Sequence, residues 1–170
     1  MTLSSTLLVA VAAKLSATQD LGSAVASMSK QYEVALTSGT TAGKADLVFH
    51  DTRTLAASGS EDIDLAGVLT DPLGATLSFV KVKALIVSAA AGNTNNVIVG
   101  GASSNGVVSW VGGATHTVTV RPGATLALIA GAADATGYAV TAATGDLLKI
   151  ANSAGTTGVT YDLIVIGTSA

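Results

Sequence analysis

From Tyr32 onward the chain is written in short runs of β-branched residues that alternate with period two, cut by Gly, Asn or Asp about every 8 to 15 residues. That pattern constrains the fold more than any other feature, because a period of two places successive side chains on opposite faces of a strand. The runs predict strands at 33–36, 45–55, 61–65, 76–89, 97–100, 107–111, 116–121, 125–130, 138–142, 147–151 and 160–167. Between them lie turn formers such as Asp71-Pro72-Leu73-Gly74, Ser104-Asn105-Gly106 and Pro122-Gly123. No segment after Lys30 keeps a helical period. Many short strands at this spacing predict an all-β chain, an antiparallel jelly-roll-like β-sandwich over residues 32–170, rather than a βαβ fold.

Two runs make the expected faces explicit. In 76–89, Val80, Val82, Ala84 and Ile86 share one face, expected to look inward. Phe79, Lys81 and Lys83 share the other, and Lys81 and Lys83 are expected to reach solvent or a subunit seam. In 159–166, Val159, Tyr161, Leu163 and Val165 alternate with Thr160, Asp162, Ile164 and Ile166. Past Asp162 that strand is apolar on both faces, so it belongs inside a sandwich or under a partner subunit.

Residues 1–31 read as an N-terminal arm. Leu21, Ala24, Val25, Met28 and Tyr32 fall on one helical face, and Asp20 suits an N-cap, so the arm is expected to be partly helical. The apolar run Leu7–Ala13 ahead of it fits a strand or more helix. Lys14 ends that run far short of the ~20 residues a membrane span needs. Met1-Thr2-Leu3-Ser4-Ser5 carries no side-chain charge, so neither a signal peptide nor a membrane partner is expected.

Composition sets limits on function. Hydrophobic residues make up 49% of the 170, and charged residues 11%, under half the usual ~25%. The formal net charge is −3 and there is no Cys. High hydrophobicity argues against disorder. The lack of Cys removes disulfides and thiolate metal sites. Without a Lys/Arg cluster, nucleic acid is not an expected partner. A surface built from 31 Ala, 22 Thr and 19 Gly tolerates close packing against neighbours, and a homo-oligomer is expected.

Chemistry-bearing residues are few. His50 and His116 are far apart, and only His50 has an adjacent carboxylate, Asp51; both are expected to be structural. Glu61-Asp62-Ile63-Asp64 is the only acid cluster, but it lacks a calcium-loop pattern and continues a strand alternation. Gly100-Gly101-Ala102-Ser103-Ser104 is glycine-rich without the following Lys-Ser/Thr of a phosphate loop. No G-x-S-x-G elbow occurs. Trp110, Tyr32, Tyr138 and Tyr161 are expected as core or interface anchors rather than a sugar platform. No catalytic, cofactor-binding or metal-binding residue is assigned, and the chain is not expected to be an enzyme.

The order of phrases carries a resemblance. "GKADLVFHDTRTL" at 43–55 leads into "EDIDLAG" at 61–67 and "LTDPLGATLSFVKVKALIV" at 69–87. "NNVIVGG", "VTVRPGATLALIA", "GYAVTAATGDLLKIAN" and "VTYDLIVIG" follow. Over residues 43–167 this resembles virion structural proteins of tailed bacteriophages, in particular small β-rich accessory proteins of the head. The resemblance implies a jelly-roll domain, a homotrimer on the capsid shell, the major capsid protein or another virion protein as partner, and location in the virion. The expected function is capsid decoration or cementing through the arm and an oligomeric β domain. The alternatives are another virion position (head fibre base, neck or tail) and a carbohydrate- or receptor-binding β-sandwich, for which Asn93, Asn95 and Asn96 would be the polar groups.

Overall fold

The computed structural model describes residues 2–170; Met1, the first residue of the expected arm, lies outside them. Among the described residues every regular element is a strand and no helix is present. In chain order these are β1 (Ser5–Gln19), β2 (Gly22–Ser38), β3 (Lys44–Ala45), β4 (Leu47–Leu55), β5 (Ser60–Asp64), β6 (Ala66–Thr70), β7 (Thr76–Ser78), β8 (Lys81–Ala89), β9 (Val97–Gly100), β10 (Thr117–Val120), β11 (Thr125–Ile129), β12 (Tyr138–Ala139), β13 (Leu147–Asn152) and β14 (Val159–Thr168).

Two sheets face each other. One runs β11-β8-β14-β4, with β12 also on β8; the other runs β10-β9-β13-β5. Neither closes. Four antiparallel pairs nest inside one another along the chain: β4 with β14, β5 with β13, β8 with β11, and β9 with β10. The chain thus folds as one long hairpin of paired segments that crosses repeatedly between the sheets. Pairing satisfies the backbone groups that each strand turns toward its neighbour, which lets both inner faces be apolar.

The alternation read from the sequence builds the main core. Val159, Tyr161, Leu163 and Val165 of β14 are fully buried, opposite Val97, Val99, Leu148 and Ile150 from the second sheet. The other face of β14 is apolar too, and its cover comes from the same chain. Ile166 packs with Ala84, Ala45, Leu7 and Leu36 in a second cluster, with Ile164 and Val34 at its margin. Leu7 and Leu36 sit at the root of the β1–β2 hairpin, so the N-terminal segment lies on the back of the first sheet.

The helical arm expected for residues 1–31 is overturned. β1 and β2 pair in one unbroken antiparallel register from Ser5↔Leu36 to Gln19↔Gly22. Asp20 and Leu21 form the hairpin turn rather than a helix cap. Spacings of 21, 24, 25, 28 and 32 fit a helix face, but Ala24, Ala26, Met28 and Tyr32 also fit alternate positions of a strand. The apolar run Leu7–Ala13 supplies the partner that decides it, since pairing satisfies both backbones at once. β2 passes through residue 31 without a break.

The faces expected for 76–89 are also corrected. The run divides at Phe79-Val80 into β7 and β8. A bulge then shifts the pairing with β14, from Ile166↔Ala84 to Gly167↔Val82, leaving Lys83 as the additional residue. The phase of alternation flips there. Val82, Leu85, Val87 and Ala89 face the main core, while Ala84 and Ile86 turn to the second cluster. Phe79 is buried and Val80 is 40% exposed. Lys83, expected at the surface or a seam, is 1% exposed, and its ammonium donates to the Asp134 carbonyl at 2.6 Å.

Val82→Ala is therefore expected to cost about 2 kcal/mol through lost methyl burial and a residual cavity. Val80→Ala should cost under about 0.5 kcal/mol, as at an ordinary surface position. Urea unfolding of the two variants checks the phase flip, and equal losses would contradict it.

Candidate functional site: an exposed two-stranded ribbon

Beyond its root the β1–β2 hairpin has no third strand. Fifteen residue pairs at 3.3–3.4 Å per residue give a ribbon about 50 Å long. Its register makes it amphipathic. One face carries the pairs Leu7/Val34, Val9/Tyr32, Val11/Lys30, Ala13/Met28, Leu15/Ala26 and Ala17/Ala24. The opposite face carries Leu8/Glu33, Ala10/Gln31, Ala12/Ser29, Lys14/Ser27, Ser16/Val25 and Thr18/Ser23. The apolar face is the one that enters the second cluster at Leu7 and Leu36. Past the root it continues uncovered: Leu15 is 75% exposed, Met28 and Tyr32 are more than half exposed, and Leu21 at the tip is fully exposed. The only charge on this face, Lys30, lies over the Tyr32 ring at 5.7 Å from its centroid. Isolated two-stranded hairpins are marginal in water, so a ribbon of this length with an apolar face implies a cover.

The residues weighed from the sequence do not converge on a chemical centre. His50 lies exposed on β4 opposite Ile164, on the back of the first sheet. His116 lies in the loop before β10, its ring against Gly112. Among the described residues no group of three or more His, Asp or Glu is disposed to hold a metal ion.

The acid cluster divides by task. Asp64 accepts from the Ala66 amide at 2.7 Å. Asp62 is exposed. Glu61 on β5 forms an ion pair with Arg53 on β4, whose Nε donates to Oε2 at 2.9 Å, and accepts the buried Tyr161 hydroxyl of β14. Arg53 also donates to Asp51 at 2.8 Å. These groups tie the edge of one sheet to the other. Burial pushes the Glu61 carboxyl up, but hydrogen bonds from Arg53 and Tyr161 and the guanidinium charge outweigh it, so the group is held below its ordinary value. Burial, then the bond to Glu61, pushes the Tyr161 phenol far up.

The asparagines serve the loops. Asn93 both donates to and accepts from the Thr160 backbone, at 2.8 and 2.9 Å. Asn95 donates to the carbonyls of Ala154 and Thr157. The Asn96 amide donates to the Ser153 hydroxyl. These contacts hold the loop before β9 against the loop before β14. At Gly100 and Gly101 the backbone takes positive φ values of 101° and 73°, a conformation that glycine adopts at little cost. An added Cβ at Gly100 would come within 2.7 Å of the His116 carbonyl, because Gly100 ends β9 opposite Thr117 of β10; the turn expected at 100–104 therefore begins as the end of a strand. Tyr161 is fully buried, Trp110 and Tyr138 pack against the main core, and Tyr32 stands on the ribbon; the four aromatics form no common platform.

Sequence reasoning missed three features. The ribbon's amphipathy appears only when residues are paired at a constant sum of 41, as in 9 with 32 and 13 with 28. The Arg53–Glu61–Tyr161 contact joins the consecutive strands β4 and β5 to β14, which is distant in sequence. Lys83 and Asp134 meet because the loop after β11 passes over the bulge. Asp134 itself is held at about 2, first by the Thr136 hydroxyl and then by the Gly137 and Thr136 amides. Comparison with protein-family models, curated proteins and solved structures finds no match to this chain.

Proposed function

We propose that this chain is a non-enzymatic structural protein of a tailed-bacteriophage virion, one that decorates or cements the capsid as a homo-oligomer, with three copies the expected number. The observation that carries the reading is the ribbon: a hairpin about 50 Å long, apolar along one face, rooted on the β body at Leu7 and Leu36 and projecting beyond it. Such an element is suited to reach across a neighbouring surface. The strand order supports the same reading. Eight strands in four nested pairs, crossing between sheets β11-β8-β14-β4 and β10-β9-β13-β5, correspond to a jelly roll. The resemblance of residues 43–167 to phage head accessory proteins points the same way. The partner is then the major capsid protein or another virion protein. The mechanism is burial of apolar area at roughly 25 cal/mol per Å2, less the cost of ordering, multiplied by simultaneous engagement of several copies.

The test uses purified full-length protein and capsid shells lacking it. Many copies distributed over the shell in electron micrographs are expected. A variant lacking residues 10–31, joined through an Asn-Gly turn, retains Leu7, Val34 and Leu36 and so keeps the second cluster. It should fold and fail to bind. No shell binding by the full chain, or a few copies confined to neck or tail, would overturn the decoration reading. Undiminished binding by the shortened chain would remove the ribbon from it.

A further inference from the structure

We propose that the apolar face of the β1–β2 ribbon is the seam between copies of this chain: ribbons from neighbouring copies pack face to face, and the surface they cover is the one left open beyond Leu7 and Leu36. The proposal rests on the homo-oligomer of the reading above and not on its count of three, because a seam in which identical faces pack against each other closes on two copies.

Four observations favour a second copy as the occupant. The first is continuity. The face that leaves the second cluster is the same face that stands open at Val9, Val11, Leu15, Met28 and Tyr32, so one apolar stripe runs from buried to bare without a change of chemistry.

The second is charge. The described ribbon carries Lys14, Lys30, Asp20 and Glu33, a formal sum of zero, and only Lys30 lies on the apolar face, folded along Tyr32. A partner recognised by charge would meet a lopsided face. This one carries a single charge and is otherwise apolar, so burial of area rather than charge selects its partner.

The third is area. The five open pairs from Val9/Tyr32 to Ala17/Ala24 span about 30 Å and offer roughly 600 Å2 of accessible surface. Two such faces apposed remove about 1,200 Å2, the lower end of what specific protein interfaces bury.

The fourth is timing. A hairpin this long lacks stability of its own, so its cover must be present when the chain folds. Another copy of the same chain always is. The small residues Ala13, Ala17, Ala24 and Ala26 let two ribbons approach closely, with Leu15 and Met28 filling the space between them.

The test reads the oligomer without any shell present. The full chain has no Cys, so Ala13→Cys and Ala12→Cys each place a single thiol at adjacent positions on opposite faces of β1. A short bismaleimide should join copies of Ala13→Cys into covalent pairs and leave Ala12→Cys largely uncoupled. In sedimentation at micromolar concentration the parent should be an oligomer. Leu15→Asp should be monomeric, and Ser29→Asp, on the polar face, should match the parent. Trp110 fluorescence reports whether the β body of each variant is folded, separating loss of assembly from loss of fold.

A monomeric parent, or equal coupling through Ala12→Cys and Ala13→Cys, would overturn the proposal. So would a monomer whose ribbon amides gain protection from hydrogen exchange only when shells are added. That result assigns the face to the shell and leaves the decoration reading standing. An oligomer coupled through Ala13→Cys that ignores shells supports the seam and overturns decoration instead.

Discussion

Gly167→Ala is expected to destabilise the β body by about 3 kcal/mol or more, through overpacking at a site with no room to relax. Gly167 stands where the register between β14 and β8 shifts, opposite Val82. A Cβ built there runs into the Lys81 carbonyl oxygen and approaches Cδ1 of Phe79 to 2.7 Å. The first contact is with backbone in a paired strand, so it cannot be relieved by a rotamer change. The second is with a ring that is buried in the main core. Relief requires separating β8 from β14, the pair at the centre of the first sheet. Gly145→Ala is the control, since its nearest neighbour would be Thr141 Cβ at 3.7 Å, an ordinary contact. Chemical denaturation of both variants checks the claim. A Gly167→Ala loss under about 1 kcal/mol would mean that the bulge adapts, against the usual stiffness of packed interiors.

The same bulge explains where sequence reading works and where it stops. Alternation in 159–166 predicts its buried set, Val159, Tyr161, Leu163 and Val165, because β14 runs straight through the middle of the sheet. Alternation in 76–89 fails because one additional residue, Lys83, reverses the phase, and nothing in the local sequence marks it. A lysine looks like a surface residue until the loop carrying Asp134 is folded over it. Val97–Gly100 is bounded by Asn95-Asn96 and Gly101, and both ends are readable. The run 107–111 has strand composition but makes only the neighbouring bridge Gly106↔Leu147, since composition does not supply a partner. The ribbon is the larger lesson. Residues 15–32 satisfy both periods, and their Ala and Met favour helix by intrinsic propensity, so local preference points the wrong way. The choice is made by Leu7–Ala13, a segment outside that window. The ribbon's apolar stripe is hidden for the same reason, because its two halves lie on different strands and become one stripe only once the register is known.

Removing the Glu61 carboxylate is the other change expected to have a large effect. Glu61→Ala should cost about 3 kcal/mol. Tyr161 is fully buried and its hydroxyl has Glu61 as its acceptor; an orphaned buried donor costs about 1–3 kcal/mol. Arg53, partly exposed, loses its paired contact but can turn to water and keeps Asp51, so its share is smaller. Glu61→Gln retains an acceptor for Tyr161 and should cost about 1 kcal/mol. Tyr161→Phe added to Glu61→Ala should cost less than Tyr161→Phe alone, with a coupling of about 1–2 kcal/mol. The pH dependence follows from the directions of the shifts. Glu61 is held below its unfolded value of 4.5, so its contribution is full above that pH and is lost as pH falls below it. Tyr161 is held above its unfolded value of 10.0, so its contribution is full below that pH and is lost as pH rises past it. Stability from this contact should therefore be flat between about pH 5 and 10 and decline on both sides. Glu61→Gln should flatten the acid limb in denaturation curves taken from pH 5 downward. What acid sensitivity remains should include the share of Asp134, which titrates near 2 in the folded chain against 3.8 unfolded. An acid limb unchanged by Glu61→Gln would show that the carboxylate is not what ties β5 to β4 and β14.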